Sequence, residues 1–207
     1  MADNNTATYA GIMADLRARK FSPIYYLMGE EPYYIDKIAD YIAENVLRPE
    51  ERDFNLMVMY GSDVSAVQVA DAAKRYPMMA DYQVVIVKEA QNIRNTDALE
   101  AYLKNPPAST ILVMCHKNGV LDRRKKLAAM VEKVGTLFES KKMRERDLPA
   151  FIESYLRQHG ASIDPKSQQI IADSIGADLN RLIGELEKLL ISLPENDRRV
   201  TPLVVER

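Results

Sequence analysis

The sequence predicts an α/β protein, a five-stranded parallel sheet covered by helices on both faces and followed by a small three-helix domain. Three observations predict it. Over residues 1–140, five short runs rich in β-branched and aromatic residues alternate with segments of helical period. Two of these runs, Val84–Val87 and Thr110–Cys115, are apolar on both faces, as strands inside a parallel sheet are. Beyond Glu139 the strand pattern stops and only helical period remains.

The polar start, Met1 to Thr8, is expected to be loose, and Tyr9, Ile12, Met13 and Leu16 then form a helical stripe. Ile24–Met28 is a first strand, and Gly29 supplies the permissive backbone of a sharp turn. Glu30-Glu31-Pro32 opens a helix, because proline suits a first helical position and acids suit the positive end of the helix dipole. Ile35, Ile38, Ala39, Ile42 and Val46 share one face of that helix. This strand-turn-helix stands where a P-loop-like sheet carries its phosphate loop, yet the loop is missing. None of the eight glycines is followed by lysine, and two carboxylates occupy the helix start and would repel a triphosphate.

Further along, Phe54–Tyr60 reads as a second strand, and Asp63 is a candidate cap for a helix over Val64–Arg75. That helix places Val69, Ala72, Ala73 and Tyr76 on one side and is stopped by Pro77. Met78-Met79-Ala80-Asp81-Tyr82 is a short apolar tip leading to the third strand, Val84–Val87. The pattern continues with a helix over Thr96–Lys104, the fourth strand Thr110–Cys115, a helix over Arg123–Lys133 and the fifth strand Thr136–Phe138. The charged run Lys141 to Arg146 is a hinge, placing one domain at 1–140 and a helical one at 141–195. In the latter, helices are expected over Asp147–His159, Pro165–Ile175 and Leu179–Leu193, and residues 196–207 read as the start of a further element.

A net charge of −2 argues against coating nucleic acid through bulk charge, although local basic patches remain open. The lone Cys115 lies inside an apolar run, which fits a buried core thiol and a reducing cytoplasm. No stretch has the length and hydropathy of a membrane span or signal sequence. His116 and His159, the two histidines, stand in different domains with no companion at zinc spacing, so no metal is expected. Glu30 and Glu31 are explained by the helix dipole without catalysis, since adjacent side chains at a helix start point apart. The run Arg123-Arg124-Lys125-Lys126 reads either as a solvated helix face or as a phosphate-tracking patch. By periodicity alone, Met78 and Met79 read either as plugs of their own core or as an outward apolar tip.

Three stretches together resemble a known family: Pro23-Ile24-Tyr25-Tyr26-Leu27-Met28-Gly29-Glu30-Glu31-Pro32-Tyr33, then Tyr76-Pro77-Met78-Met79-Ala80-Asp81 ahead of Gln83–Val87, then Gly176-Ala177-Asp178-Leu179 running into Glu185-Leu186-Glu187-Lys188-Leu189. In this order they resemble the delta subunits of bacterial DNA polymerase III, the clamp-opening members of clamp-loader complexes. The resemblance implies an AAA+-like domain without nucleotide, a small three-helix lid domain, and a collar domain of which residues 196–207 would be the approach. It sets Lys88-Glu89 where related ATPases carry an acidic pair, and Arg181 near their sensor arginine.

The resemblance further implies a non-catalytic subunit, without cofactor, in the cytoplasm. Its partners would be the sliding clamp (beta subunit), the ATP-binding and delta-prime loader subunits through the collar, and primed DNA within the complex. The clamp contact would be Met78 and Met79, flanked by Tyr76 and Pro77. Two other readings of the chain are a divergent nucleotide-binding NTPase and a DNA-binding module using Arg123 to Lys126.

Overall fold

The computed structural model describes residues 7–205, so the expectation for Met1–Thr6 and the last two positions lies outside the described residues. The chain divides into two compact units that meet in sequence at Lys141 and Lys142, and residues 196–205 belong with the second.

The first unit opens with helix α1 (Tyr9–Arg17), capped by Thr8, whose hydroxyl accepts the Gly11 N–H at 3.1 Å. Strand β1 (Ile24–Gly29) and helix α2 (Pro32–Asn45) follow, then the single-turn helix α3 (Arg52–Asn55), β2 (Leu56–Tyr60) and α4 (Ala66–Ala73). The unit continues with β3 (Gln83–Lys88), α5 (Asp97–Leu103), β4 (Thr110–Lys117), α6 (Lys126–Val134) and β5 (Thr136–Ser140). All five strands pair in parallel, in the order β2-β3-β4-β1-β5.

Alternation along the central strands explains why their sequences are apolar throughout. Tyr26, Met28, Val85, Val87, Leu112 and Met114 pack in one layer with the buried residues of α4, α5 and α6. Tyr25, Leu27, Val84, Ile86, Ile111, Val113 and Cys115 pack in the other, with those of α1 and α2. Each large side chain buried this way contributes about 1.5–3 kcal/mol. The edge strand β2 is different, because Val58 and Tyr60 stay exposed.

Among the boundaries that differ from the sequence expectation, three have a clear local cause. Phe54 was expected in β2 but sits in α3, since the chain first makes a helical turn from Pro49 onward and extends only at Leu56. Helix α4 is capped by Ser65 and not by Asp63, through a reciprocal pair with Gln68: Ser65 Oγ accepts the Gln68 N–H at 3.3 Å and Gln68 Oε1 accepts the Ser65 N–H at 2.8 Å. Helix α6 starts at Lys126 and not at Arg123, because Asp122 first accepts the Arg124 N–H in a local turn at 3.0 Å.

The second unit holds α7 (Leu148–Gln158), the short strand β6 (Ser162–Ile163), α8 (Pro165–Ile175), α9 (Leu179–Ser192), strand β7 (Arg199–Val200) and the short helix α10 (Pro202–Val205). Asp164 and Asp178 cap α8 and α9 as their sequence positions suggest, accepting the Ser167 and Arg181 N–H groups at 3.0 Å each. A purely helical composition was expected here, whereas β6 and β7 pair in parallel. A pair of two-residue strands is too short to leave a periodic signal.

Candidate functional site

Two places in the first unit bear on function: the turn after β1, and the tip between α4 and β3. At the turn, three backbone N–H groups that a phosphate could use are already committed. The Gly29 N–H donates to the Gly119 carbonyl at 2.9 Å, and the Glu31 N–H donates to the Ser140 carbonyl at 3.1 Å. Pro32 has no N–H to offer. The Tyr33 N–H donates to the Glu31 carboxylate at 3.0 Å, so the helix start is capped by the protein's own anion. Of the two acids at this helix start, Glu31 is the buried one and Glu30 faces solvent, so a single carboxylate occupies the place.

Gly29 has φ +130°, and a Cβ there would lie 2.1 Å from the Ser140 carbonyl oxygen, so β5 closes tightly over the turn. Beside it, Lys117 at the end of β4 pairs with Asp36 at 2.6 Å, and Lys88 at the end of β3 pairs with Asp40 at 3.8 Å. Both acids come from α2, on one face at i and i+4. Both lysines at these strand ends are thus held by acids of the neighbouring helix. Among the described residues no cluster of His, Cys, Asp and Glu could hold a metal ion. Nor is any helix among them long and apolar enough to cross a membrane.

The tip is built differently from the sequence expectation. Helix α4 ends at Ala73 because Pro77, four residues on, has no N–H to give the Ala73 carbonyl, and other side chains take the terminal carbonyls instead. Thr110 Oγ1 donates to the Ala73 carbonyl at 2.7 Å, and the two hydrogens of the Gln83 amide are shared among the Ala72, Ala73 and Arg75 carbonyls, the first two at 3.1 and 3.2 Å. Tyr76 therefore leaves the buried side of the helix, where Val69, Ala72 and Ala73 remain, and is 84% exposed. Met78 is 60% exposed and Met79 98% exposed, so neither plugs the core of its own unit. Pro77 stands between Tyr76 and Met78 within the same irregular segment.

Beneath the tip lies a residue that sequence reasoning missed. Asn55, at the end of α3, is 3% exposed and makes two bonds to one tip residue. Its Oδ1 accepts the Met78 N–H at 2.7 Å, and its Nδ2 donates to the Met78 carbonyl at 2.9 Å. The same Nδ2 donates to the Glu51 carbonyl at 2.9 Å. Its one detectable signal was compositional, since asparagine is depleted in strand interiors such as the one expected at 54–60.

The basic run is largely neutralised. Arg123 pairs with Glu132 at 2.8 Å and Glu139 at 3.3 Å, Arg124 with Asp122 at 3.0 Å, and Lys126 with Glu100 at 3.6 Å. Arg123 to Lys125 lie in the turn ahead of α6, so they do not form a helix face. Arg181 is exposed in the first turn of α9, its N–H bonded to the Asp178 carboxylate.

Residues 25–141 match the family described as DNA polymerase III, delta subunit, which is more than half of the 207 residues. The DNA polymerase III subunit delta of Bacillus subtilis is 24% identical over 188 residues, covering 86% of this chain and 54% of that protein. The chain thus spans about half the length of the curated relative. The solved structure of the Bacillus subtilis DNA clamp loader delta protein superposes with a TM-score of 0.77 at 23% identity, covering 96% of this chain and 61% of that one. The fold is therefore α/β of the AAA+-like kind. By the extent of the family match, this chain belongs to the DNA polymerase III delta subunit family.

Proposed function

We propose that this chain is the clamp-engaging part of a bacterial clamp loader and that it binds the sliding clamp through Met78 and Met79, with Tyr76 and Pro77 beside them. The observation that carries the reading is a pair of exposed methionines, Met79 almost wholly so, on a segment held by Asn55 at Met78 and entered from a helix end held by Gln83 and Thr110. Exposed, unbranched thioether side chains suit an irregular apolar pocket on a partner.

A closed ring opens under a ligand only as far as that ligand prefers the open form. The chain's part is to supply this preference, while ATP-binding subunits set the time at which the tip is available. In this reading the subunit is a non-catalytic, cytoplasmic member of a nucleotidyltransferase complex. It meets the delta-prime and ATP-binding subunits through a collar, and primed DNA within the assembly. The occupied turn after β1 favours this over a divergent NTPase, because the N–H groups of Gly29, Glu31 and Tyr33 are spent on Gly119, Ser140 and Glu31. The ion pairs of Arg123, Arg124 and Lys126 count against a DNA-binding module that tracks phosphates with these side chains.

Capture of the cognate sliding clamp on immobilised chain tests the reading. The unmodified chain is expected to retain the clamp and the Met78→Ala/Met79→Ala double variant to lose it. Equal retention by both would remove the tip from the reading.

A further inference from the structure

We propose that Asn55 is a positioning residue for the tip: its side-chain amide fixes the Met78 backbone so that Met79 is presented to the clamp already in its binding conformation. The inference rests on the reading of the tip as the clamp contact.

The geometry is unusual for a surface segment. Both backbone groups of Met78 are held by one buried side chain, as a neighbouring strand residue would hold them. The amide orientation is forced, because only Oδ1 can accept the Met78 N–H and only Nδ2 can donate to the Met78 and Glu51 carbonyls. Both amide hydrogens and the oxygen are thus in use.

The next residue shows what the staple does. Met79 has φ +52°, a left-handed backbone that a non-glycine residue adopts at a cost. A free loop would relax away from it. Fixed on one side by Asn55 and, past Asp81 and Tyr82, by the Gln83 N–H on the Ser109 carbonyl at 2.9 Å, the segment keeps that turn and points Met79 into solvent. Without the staple the tip samples other conformations, and the ordering is then taken from the binding free energy.

Asn55 reaches the tip from α3 and has no exposed surface with which to touch a partner itself. A truncation there therefore acts through the backbone of Met78 and not through a lost contact.

The test measures affinity of the full chain for the cognate clamp, together with amide hydrogen exchange of the free chain. Asn55→Ala is expected to weaken clamp binding about tenfold, an estimate from the strain and ordering that the staple holds. In a Met79→Ala background the same change is expected to cost clearly less, because the side chain it positions is gone. Asn55→Asp keeps the side-chain volume and the acceptor for Met78 but loses both donated bonds, and it too is expected to weaken binding. In the unmodified chain the Met78 amide is expected to exchange slowly, and in Asn55→Ala quickly, while amides of β3 stay protected in both.

An Asn55→Ala cost that is the same with and without the Met79 side chain would overturn the proposal, since the residue would then act on stability alone. So would unprotected exchange of Met78 in the unmodified chain, a result that needs no variant to fold. If the unmodified chain does not bind the clamp, the reading of the tip falls and this inference with it. If it binds and Asn55→Ala binds equally well, the inference alone falls.

Discussion

The two methionines of the tip should not contribute equally, and the structure sets their order. Met79 is 98% exposed and Met78 60% exposed, so Met79 has nearly all of its surface left to give to a partner. Truncation to alanine removes three heavy atoms from each side chain. At about 0.8 kcal/mol per buried methylene-sized group, Met79→Ala costs about 2 kcal/mol of clamp binding, roughly 30-fold in Kd. For Met78, part of which is already covered, the same count gives about 1.3 kcal/mol, roughly tenfold. Neither change should alter the stability of the free chain by more than about 0.5 kcal/mol, since exposed side chains have little to lose. Alanine and methionine meet the same penalty at φ +52°, so the backbone of position 79 adds nothing to the difference. Isothermal titration of each variant into the cognate clamp, with a thermal melt of each variant alone, measures both quantities. A larger loss for Met78→Ala than for Met79→Ala, or a fall in Tm of several degrees with affinity unchanged, would refute the reasoning.

Gly29→Ala places a Cβ 2.1 Å from the Ser140 carbonyl at φ +130°, on a strand flanked by β4 and β5, and should destabilise by about 3 kcal/mol or more in urea unfolding. An unchanged urea midpoint would mean that the turn is looser than its hydrogen bonds indicate. Cys115 is fully buried, and burial pushes its thiol up to about 11, so at neutral pH iodoacetamide should label the chain only after denaturant is added. Rapid labelling of the native chain would contradict its place in the sheet. Phe54→Ala should cost no more than about 0.5 kcal/mol of stability, because Phe54 is 71% exposed on α3. A phenylalanine buried in a strand would lose about 3–5 kcal/mol, and a chemical melt distinguishes the two.

The order of elements was open to reading because it rests on local chemistry. A strand buried on both faces must be largely apolar, so Val84–Val87 and Thr110–Cys115 announced a parallel sheet with no need of any partner strand. Capping is equally local, and Glu31 with Pro32, Asp164 and Asp178 marked three helix starts where the structure has them. The missing phosphate loop was legible for the same reason, since it needs a glycine and a lysine adjacent in the chain.

What the tertiary structure alone decided are the features made by residues far apart in sequence. Pro77 marks the stop of helix α4 locally, but the partners of the freed Ala73 carbonyl, Gln83 and Thr110, lie 10 and 37 positions away, and no local pattern records them. The tip is fixed because Asn55 meets Met78 across 23 positions. The run from Arg123 to Lys126 loses its character as a basic patch because Glu132, Glu139 and Glu100 come to it in space. Periodicity reports which face of an element is apolar, whereas a hydrogen bond or ion pair between distant segments depends on where the folded backbone delivers each group. In this chain the scaffold was written in neighbouring residues, and the shape of its tip and the charge of its basic run in distant ones.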